Sequence, residues 1–255
     1  MDACGIGKKE GYTVTDWNKV SGAVEKPIPK ITAMNRISLI YTYYNYPQRM
    51  AQRMDMCSKY SDFVKQSVDI IIVDDASKIP AHTLDIEYPH NVSIYRVEKD
   101  VVWNEKGARN LGAVVANTEW VIFTDFDHWF EDEDLANIVN MQKQDNVAYR
   151  FERYNVDGTK CKKPIHSESF LVQRYCALQI GCFSECYTGQ YGDAPYVIFY
   201  KRFKEQGGRF VVTQDARLHY RSNKEANAVR NGNVTDRKAH APDHGLLHFE
   251  WKRML

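Results

Sequence analysis

The chain has 255 residues, and its 34 Lys and Arg balance 33 Asp and Glu to a formal net charge of +1. This length suits one large domain or a domain with an appendage, and a hydrophobic content of 44% can supply a core. The charge balance excludes a general attraction to nucleic acid or to an anionic membrane. No apolar run approaches the roughly twenty residues that cross a bilayer, so we expect no transmembrane segment.

The cysteine pattern argues against a zinc site. The six cysteines form no C-x-x-C pair, and Cys182 and Cys186, four residues apart, have no histidine cluster beside them. The N-terminus lacks a basic region followed by an apolar core, so no signal peptide is expected. We therefore expect reduced thiols in a cytoplasmic protein.

The first half of the chain alternates strands with helices. Asn45 is the predicted N-cap of the first helix, with Pro47 in its first turn. The predicted elements are strand 37–41, helix 47–60, strand 69–73, strand 92–97, helix 106–117, strand 120–124 and helix 131–141. The acids at 131–134 suit the first turn of the last helix, where they complement its dipole, and are not counted as catalytic. This alternation predicts βαβ units and a mostly parallel sheet.

The pattern changes after about residue 147. The predicted elements here are strands 147–153, 170–172, 209–212 and 217–220, with a helix over about 196–205. Residues 1–36 are polar and punctuated by Gly and Pro, which predicts an N-terminal extension. Residues 222–255 form a polar tail whose amphipathic end is expected to dock on its own domain.

Acidic pairs follow two of the predicted strands: Asp74 with Asp75, and Asp125 with Asp127. Ligands collect at the carboxyl ends of parallel strands, so both pairs should face one crevice. Four carboxylates together repel one another unless a cation or hydrogen-bond donors are present. We expect one pair to bind a base and ribose, and the other to hold a divalent cation against a diphosphate.

Arg109 and Asn110 lie between these pairs, in the first turns of a predicted helix. Backbone amides at a helix N-terminus and an arginine suit a bound anion. An ordinary helix start with a solvated arginine would look the same.

The ordered set of segments resembles the family 2 glycosyltransferases, which use nucleotide sugars and have the GT-A fold. The stretch 37–45 is similar to the family's opening strand and Pro-Thr-Tyr-Asn loop, with Tyr41 in place of the proline. Residues 71–77 resemble its Val-Val-Asp-Asp-Gly-Ser motif, with Ala76 replacing the glycine. Residues 104–112 are similar to its Ala-Arg-Asn-x-Gly segment.

The later segments follow in family order. Asp125 and Asp127 match the family's Asp-x-Asp motif. Residues 181–185 resemble its Gly-Gly-Phe-Asp-Glu segment, and Asp193 falls where the family carries Glu-Asp, although Gly192 stands in place of the glutamate. The resemblance spans most of the chain.

The resemblance implies an α/β, Rossmann-like GT-A fold. It has a mostly parallel central sheet flanked by helices and a small antiparallel portion on the acceptor side. The domain would span 37–221, with a nucleotide-binding half over 37–130 and an acceptor half over 131–221.

The resemblance also implies roles on the donor side. Thr42, Tyr43 and Asp75, or else Asp74, would hold the base and ribose. Arg109 and Asn110 would lie near the donor.

Metal and diphosphate contacts are implied farther along the chain. Asp125 would face the ribose and the metal with its bound water, and Asp127 would ligate Mn²⁺ or Mg²⁺. His219 falls where related enzymes place a third ligand, although a structural histidine fits equally well. Arg221 and Lys224 would clamp the diphosphate, and a solvated basic loop is the equal alternative.

The implied reaction is an inverting, metal-dependent transfer of a hexose or pentose. The donor would be a UDP- or GDP-linked sugar and the acceptor a hydroxyl, such as that of a glycan. Asp193 is the candidate general base and Glu185 the reserve. The alternatives are a haloacid dehalogenase-type phosphatase, a sugar-nucleotide pyrophosphorylase and a non-catalytic domain that binds nucleotide sugars.

Overall fold

The structure is a computed structural model that describes residues 36–101, 103–185, 194–221, 246–247 and 249–255. Its helices and strands are β1 (Ile37–Tyr43), α1 (Pro47–Ser58), α2 (Asp62–Ser67), β2 (Val68–Asp74), β3 (Val92–Val97), α3 (Glu105–Val115), β4 (Trp120–Thr124), β5 (His128–Trp129), α4 (Asp132–Asn140), β6 (Val147–Asn155), β7 (Lys160–Gln173), α5 (Arg174–Gln179), α6 (Ala194–Glu205), β8 (Arg209–Tyr220) and β9 (Trp251–Arg253).

The described strands form one nine-stranded sheet in the order β5-β8-β6-β7-β4-β1-β2-β3-β9. The strands β3, β2, β1 and β4 are parallel neighbours. Beyond β4 the sheet becomes mixed, because β7 is antiparallel to both β4 and β6. This arrangement confirms the predicted mostly parallel α/β sheet with an antiparallel portion.

Both faces of the central strands are buried, which explains their nearly continuous hydrophobic runs. Leu39 packs into the core on one face of β1, and Ile40 packs into the core on the other. Helix α3 lies close against this second face at Gly112, where a Cβ atom would stand 2.3 Å from Cγ2 of Ile40. A residue without a side chain is therefore needed at this contact.

Several elements differ from the prediction. The two short strands predicted over 209–220 form the single strand β8, whose register against β6 shifts after Phe151. Strand β7 begins at Lys160, ten residues before the predicted strand, because its polar first half forms an exposed hairpin with β6. Helices α2 and α5 were not predicted, since six residues are too few to show a helical period.

The predicted N-cap role of Asn45 is wrong. Tyr46 occupies the N-cap position of α1, and Pro47 begins the helix as expected. Asn45 adopts φ 51°, and its Oδ1 accepts hydrogen bonds from the amides of Lys78, at 2.6 Å, and Ile79, at 3.3 Å. Asn45 therefore ties the loop after β1 to the loop after β2.

The acids at the start of α4 cap that helix, as predicted. Glu131 and Asp134 form a capping box, in which each side chain accepts a hydrogen bond from the backbone amide of the other.

The end of the chain adds the edge strand β9, which pairs antiparallel with β3. The predicted N-terminal extension, except for Arg36, and residues 222–245 lie outside the described residues. The predicted domain boundaries therefore stay predictions. None of the described helices is long and apolar enough to cross a membrane.

Candidate active site

The candidate site lies at the carboxyl ends of the parallel strands. Strand β1 pairs with β2 on one side and with β4 on the other. The loops that follow β2 and β4 therefore flank the end of β1. This topology brings the two acidic pairs to the same edge of the sheet, as predicted.

Asp74 is fully buried and holds its own loop together. Its Oδ1 accepts from the Ser77 amide at 2.8 Å, and its Oδ2 accepts from the Ala81 amide at 2.9 Å and from Nη1 of Arg96 at 2.7 Å. A carboxylate with these partners has no surface left for a ligand. The predicted contact between Asp74 and a nucleotide stays a prediction, and it would require these partners to be displaced.

The other predicted nucleotide contacts differ in exposure. Thr42 is half-buried at the end of β1. Tyr43 is 1% exposed and donates its hydroxyl to the Ile79 carbonyl at 3.0 Å, and its predicted ligand contact stays a prediction. Asp75 is also 1% exposed, and its Oδ1 accepts from Nδ2 of Asn104 at 3.1 Å. Asp75 would reach a ligand only after its neighbours move.

Ala76 follows these acids in a left-handed backbone conformation, with φ 54°. This conformation favours glycine because a Cβ atom crowds the following carbonyl. The requirement explains why the motif that residues 71–77 resemble carries glycine here.

Arg109 contacts Asp125 from the buried side of the sheet edge. Its fully buried guanidinium contacts Asp125 through Nη2, Glu105 at 3.0 Å and Oε2 of Glu168 at 3.2 Å. Burial opposes its charged form, but Asp125, Glu105 and Glu168 outweigh that cost and raise the pKa of Arg109. Arg109 therefore neutralises three carboxylates, and its predicted place near the donor stays a prediction.

Asp125 and Asp127 reach the surface of the crevice. Their side chains are 29% and 21% exposed, respectively. Burial raises the pKa of Asp125, although the Arg109 charge opposes that rise. Burial also opposes ionisation of Asp127, but its contact with His128 outweighs that cost and lowers its pKa.

Two histidines that the sequence reasoning missed complete this cluster. Nδ1 of His128 lies 2.6 Å from Oδ1 of Asp127, and Nε2 of His166 lies 3.3 Å from Oδ2 of Asp125. The two imidazoles stack with centroids 4.3 Å apart. Burial and the neighbouring His128 lower the pKa of His166 to about 3, so its imidazole is neutral.

The signals for these two histidines differ in strength. His128 directly follows Asp127 in the chain, which was a usable signal. His166 comes from β7, and nothing in its local sequence indicates the site.

A third missed residue, Arg53, holds the backbone of the loop that carries Asp127. Arg53 extends from α1, is 4% exposed, and donates from Nη2 to the carbonyls of Phe126 at 3.1 Å and His128 at 2.8 Å. Its guanidinium also lies over the rings of Tyr41 and Phe126. Arg53 therefore fixes the loop on both sides of Asp127.

Asn110 is fully buried in α3 and binds the segment that contains Phe183 and Glu185. It donates to the Phe183 carbonyl and to Oε1 of Glu185, both at 2.8 Å, and accepts from the Phe183 amide at 3.0 Å. Oε1 of Glu185 also accepts from the Leu247 amide at 3.1 Å. Asn110 positions Glu185, and its predicted place near the donor stays a prediction.

His219 lies on β8 with its Nε2 3.1 Å from Oδ2 of Asp134, and its ring stacks on Trp129. The exposed Arg221 follows, and its backbone amide donates to the Asp127 carbonyl at 3.2 Å. Lys224 and Asp193 lie outside the described residues. The structure thus brings Arg221 to the Asp127 loop, whereas it pairs His219 with a carboxylate of α4.

Two clusters among the described residues have the composition of a cation site. Glu105, Asp125 and Glu168 already surround the Arg109 guanidinium, which serves as their cation. The other cluster joins Asp125 to His128 and His166 next to Asp127. Part-exposed carboxylates and neutral imidazole form a donor set that fits a divalent ion such as Mn²⁺.

The model of the family described as "Glycosyl transferase family 2" matches residues 38–191. The chain belongs to this family. This membership argues against the haloacid dehalogenase and pyrophosphorylase alternatives. No match is found among curated proteins.

Solved structures show the same fold at low identity. GalNAc-T7 with UDP, GalNAc and Mn²⁺ is 14% identical with a TM-score of 0.57, over 76% of this chain and 45% of that one. S. aureus TarS residues 1–349 are 17% identical with a TM-score of 0.54, over 80% of this chain and 68% of that one. The TarS complex with UDP-GlcNAc is 16% identical with a TM-score of 0.56, over 76% and 61%. The fold is GT-A, and this chain spans less than half of GalNAc-T7.

Proposed function

We propose that this protein is a metal-dependent, inverting glycosyltransferase. It moves a hexose or pentose from a UDP- or GDP-linked donor to a hydroxyl of a glycan. One observation carries the proposal: in a family 2 chain, Asp125 and Asp127 are the part-exposed acids at the carboxyl end of β4. Ligands bind at such strand ends in open α/β sheets.

The donor would lie across the ends of β1, β2 and β4. Thr42 is the half-buried residue at the end of β1 and can face the base. Asp75 would join it at the ribose once Asn104 releases its carboxylate. The neighbouring structures were solved with UDP and with UDP-GlcNAc, so uridine is the first nucleoside to test.

Asp125 and Asp127 would hold a divalent cation against the diphosphate. When bound, this cation supplies Lewis-acid stabilisation of the charge that the leaving group develops. Arg53 fixes the backbone on both sides of Asp127, which keeps its carboxylate aimed at the crevice. Arg221 begins the segment that would bring Lys224 to the diphosphate.

Inverting transfer needs a carboxylate that takes the proton of the acceptor hydroxyl, on the face opposite the leaving group. Asp193 is our first candidate for this base. Glu185 is 2% exposed and its Oε1 accepts from Asn110 and Leu247, so we assign it a positioning role.

The test is a thermal-shift panel of UDP, GDP, CMP and their sugars, with and without Mn²⁺, followed by a donor-turnover assay. We expect one diphosphate nucleotide to raise the melting temperature only with the metal present, and its sugar to be turned over. NMR of the anomeric product would show inversion. Asp193→Ala should keep donor binding and lose turnover.

Two outcomes would overturn the proposal. Metal-dependent nucleotide binding without any turnover would favour the non-catalytic alternative. Full activity in Asp127→Ala would show that the metal site is assigned wrongly.

A further inference from the structure

The cation site has more than one candidate imidazole ligand, and the choice between them rests on the proposed function. His219, the position that the family resemblance suggests, is engaged elsewhere. Its Nε2 faces Asp134, which also accepts from the Arg217 amide at 2.8 Å and caps α4. Recruiting His219 to Asp127 would therefore break a contact that anchors β8 to α4.

His166 is oriented as a ligand. Its Nδ1 lies 2.8 Å from Oγ of Ser169, which in turn lies 2.8 Å from Oγ1 of Thr124. Ser169 and Thr124 are buried, so this chain of hydroxyls fixes the ring. Metal-binding histidines ordinarily use one ring nitrogen in this way, which leaves the other for the ion. The remaining Nε2 points to Asp125, 3.3 Å from its Oδ2.

His128 is a poor candidate for the same ion. Its ring stacks on His166 with an interplanar angle of 26°. A bound metal lies near the plane of each imidazole that ligates it, and two nearly parallel rings in a stack do not point at one ion. Nδ1 of His128 also lies 2.6 Å from Oδ1 of Asp127, so His128 positions that carboxylate.

We propose that His166, and not His219, is the imidazole ligand of the cation site, and that it biases the site toward a transition-metal ion over Mg²⁺. The ligand set would then be carboxylate oxygen from β4 and its loop, with imidazole nitrogen from β7. Mg²⁺ prefers oxygen ligands and water, whereas first-row transition metals accept nitrogen. The loss of one imidazole should therefore weaken Mn²⁺ binding more than Mg²⁺ binding.

The test compares the full chain with its His166→Ala, His219→Ala and Asp127→Ala variants in the presence of UDP. MnCl₂ and MgCl₂ are titrated by calorimetry, and nitrogen coupling to Mn²⁺ is read by electron spin-echo spectroscopy. We expect His166→Ala to weaken Mn²⁺ binding about 10–100-fold, to leave Mg²⁺ binding within about threefold, and to lose the nitrogen signal. His219→Ala should keep both the affinity and the signal.

His166→Asp is a second test, in which cation binding should be regained rather than lost. It places an oxygen ligand on the same strand, so it should restore cation binding with a smaller preference for Mn²⁺ over Mg²⁺. Circular dichroism of each variant checks that the fold is retained.

The possible failures are distinct. Unchanged Mn²⁺ affinity and nitrogen signal in His166→Ala, with loss of binding in Asp127→Ala, would overturn this assignment alone. Loss of the nitrogen signal in His219→Ala would overturn it in favour of His219. If the natural chain binds neither Mn²⁺ nor UDP, the proposed function fails together with this inference.

Discussion

Acids stand at the carboxyl ends of both β2 and β4, yet the two groups differ in burial and in their partners. Asp74 is 0% exposed and accepts from two backbone amides and Arg96. Asp125 and Asp127 are 29% and 21% exposed beside two histidines. A buried carboxylate is tolerated only when hydrogen bonds and opposite charge replace water. The first loop therefore uses an acid to hold its shape, and the second keeps its acids available to a ligand.

Asp127→Ala should give the largest effect, and it should fall on function. We expect turnover to fall about a hundredfold to a thousandfold, which is the usual effect of losing one group that stabilises developing charge. The free energy of unfolding should change by only about 1 kcal/mol, because the side chain is part-exposed. Donor turnover and urea unfolding measure the two effects. A large loss of stability in Asp127→Ala would show that Asp127, like Asp74, holds its loop together.

Asp74→Ala should give the reverse result. Its removal leaves the Arg96 charge and two amides unpaired, which should lower the free energy of unfolding by about 3 kcal/mol. Urea unfolding measures this loss. Asp74→Asn keeps the shape and one acceptor oxygen, so it should cost less. An Asp74→Ala protein of natural stability would contradict the structural role.

Arg53→Lys tests whether the Asp127 loop needs the hydrogen bonds that Arg53 donates to its backbone. Lysine cannot reproduce the guanidinium fork, so we expect the affinity for UDP with Mn²⁺ to fall about tenfold. The matched control is Arg49→Lys, one turn earlier on α1, where the guanidinium lies over the Tyr46 ring. Calorimetry on both variants measures the effect. Equal losses in the two would show that Arg53 has no particular role at the loop.

Ala76→Gly should give the smallest effect, which is a gain in stability. Relief of the left-handed strain of alanine should raise the free energy of unfolding by about 1–2 kcal/mol. The greater flexibility of glycine in the unfolded chain should lower it by about 0.5–1 kcal/mol. The melting temperature should rise by about 1–3 °C. Ala113→Gly, in helix α3, should lower stability by about 1 kcal/mol. A loss in Ala76→Gly would show that this Cβ contributes packing.

Much of the fold was predictable because it depends on local patterns. The buried parallel strands are short hydrophobic runs, and α3 and α4 have a helical period and, in α4, a capping box. The elements that were missed have weak local signals. They include the polar arm of β7, and strand β9, which forms only by pairing with β3.

The sequence alone determined the family, the alternation of strands and helices, and the convergence of Asp75 and Asp125 at one sheet edge. Strand order follows from short right-handed connections, which are a property of the chain. Tertiary structure decided which acids are available. Asp74 ends one hydrophobic strand and Asp125 follows another. Their roles differ because two backbone amides and Arg96 bind Asp74, whereas Arg109 contacts a part-exposed Asp125.

Tertiary structure also decided which histidine and which arginine serve the Asp127 loop. Arg53 lies 74 residues before Asp127, and His166 lies 39 residues after it. Arg53 reaches the loop because α1 packs on the sheet, and His166 reaches it because β7 pairs with β4. Contacts between residues so far apart are set by packing, which no local pattern records.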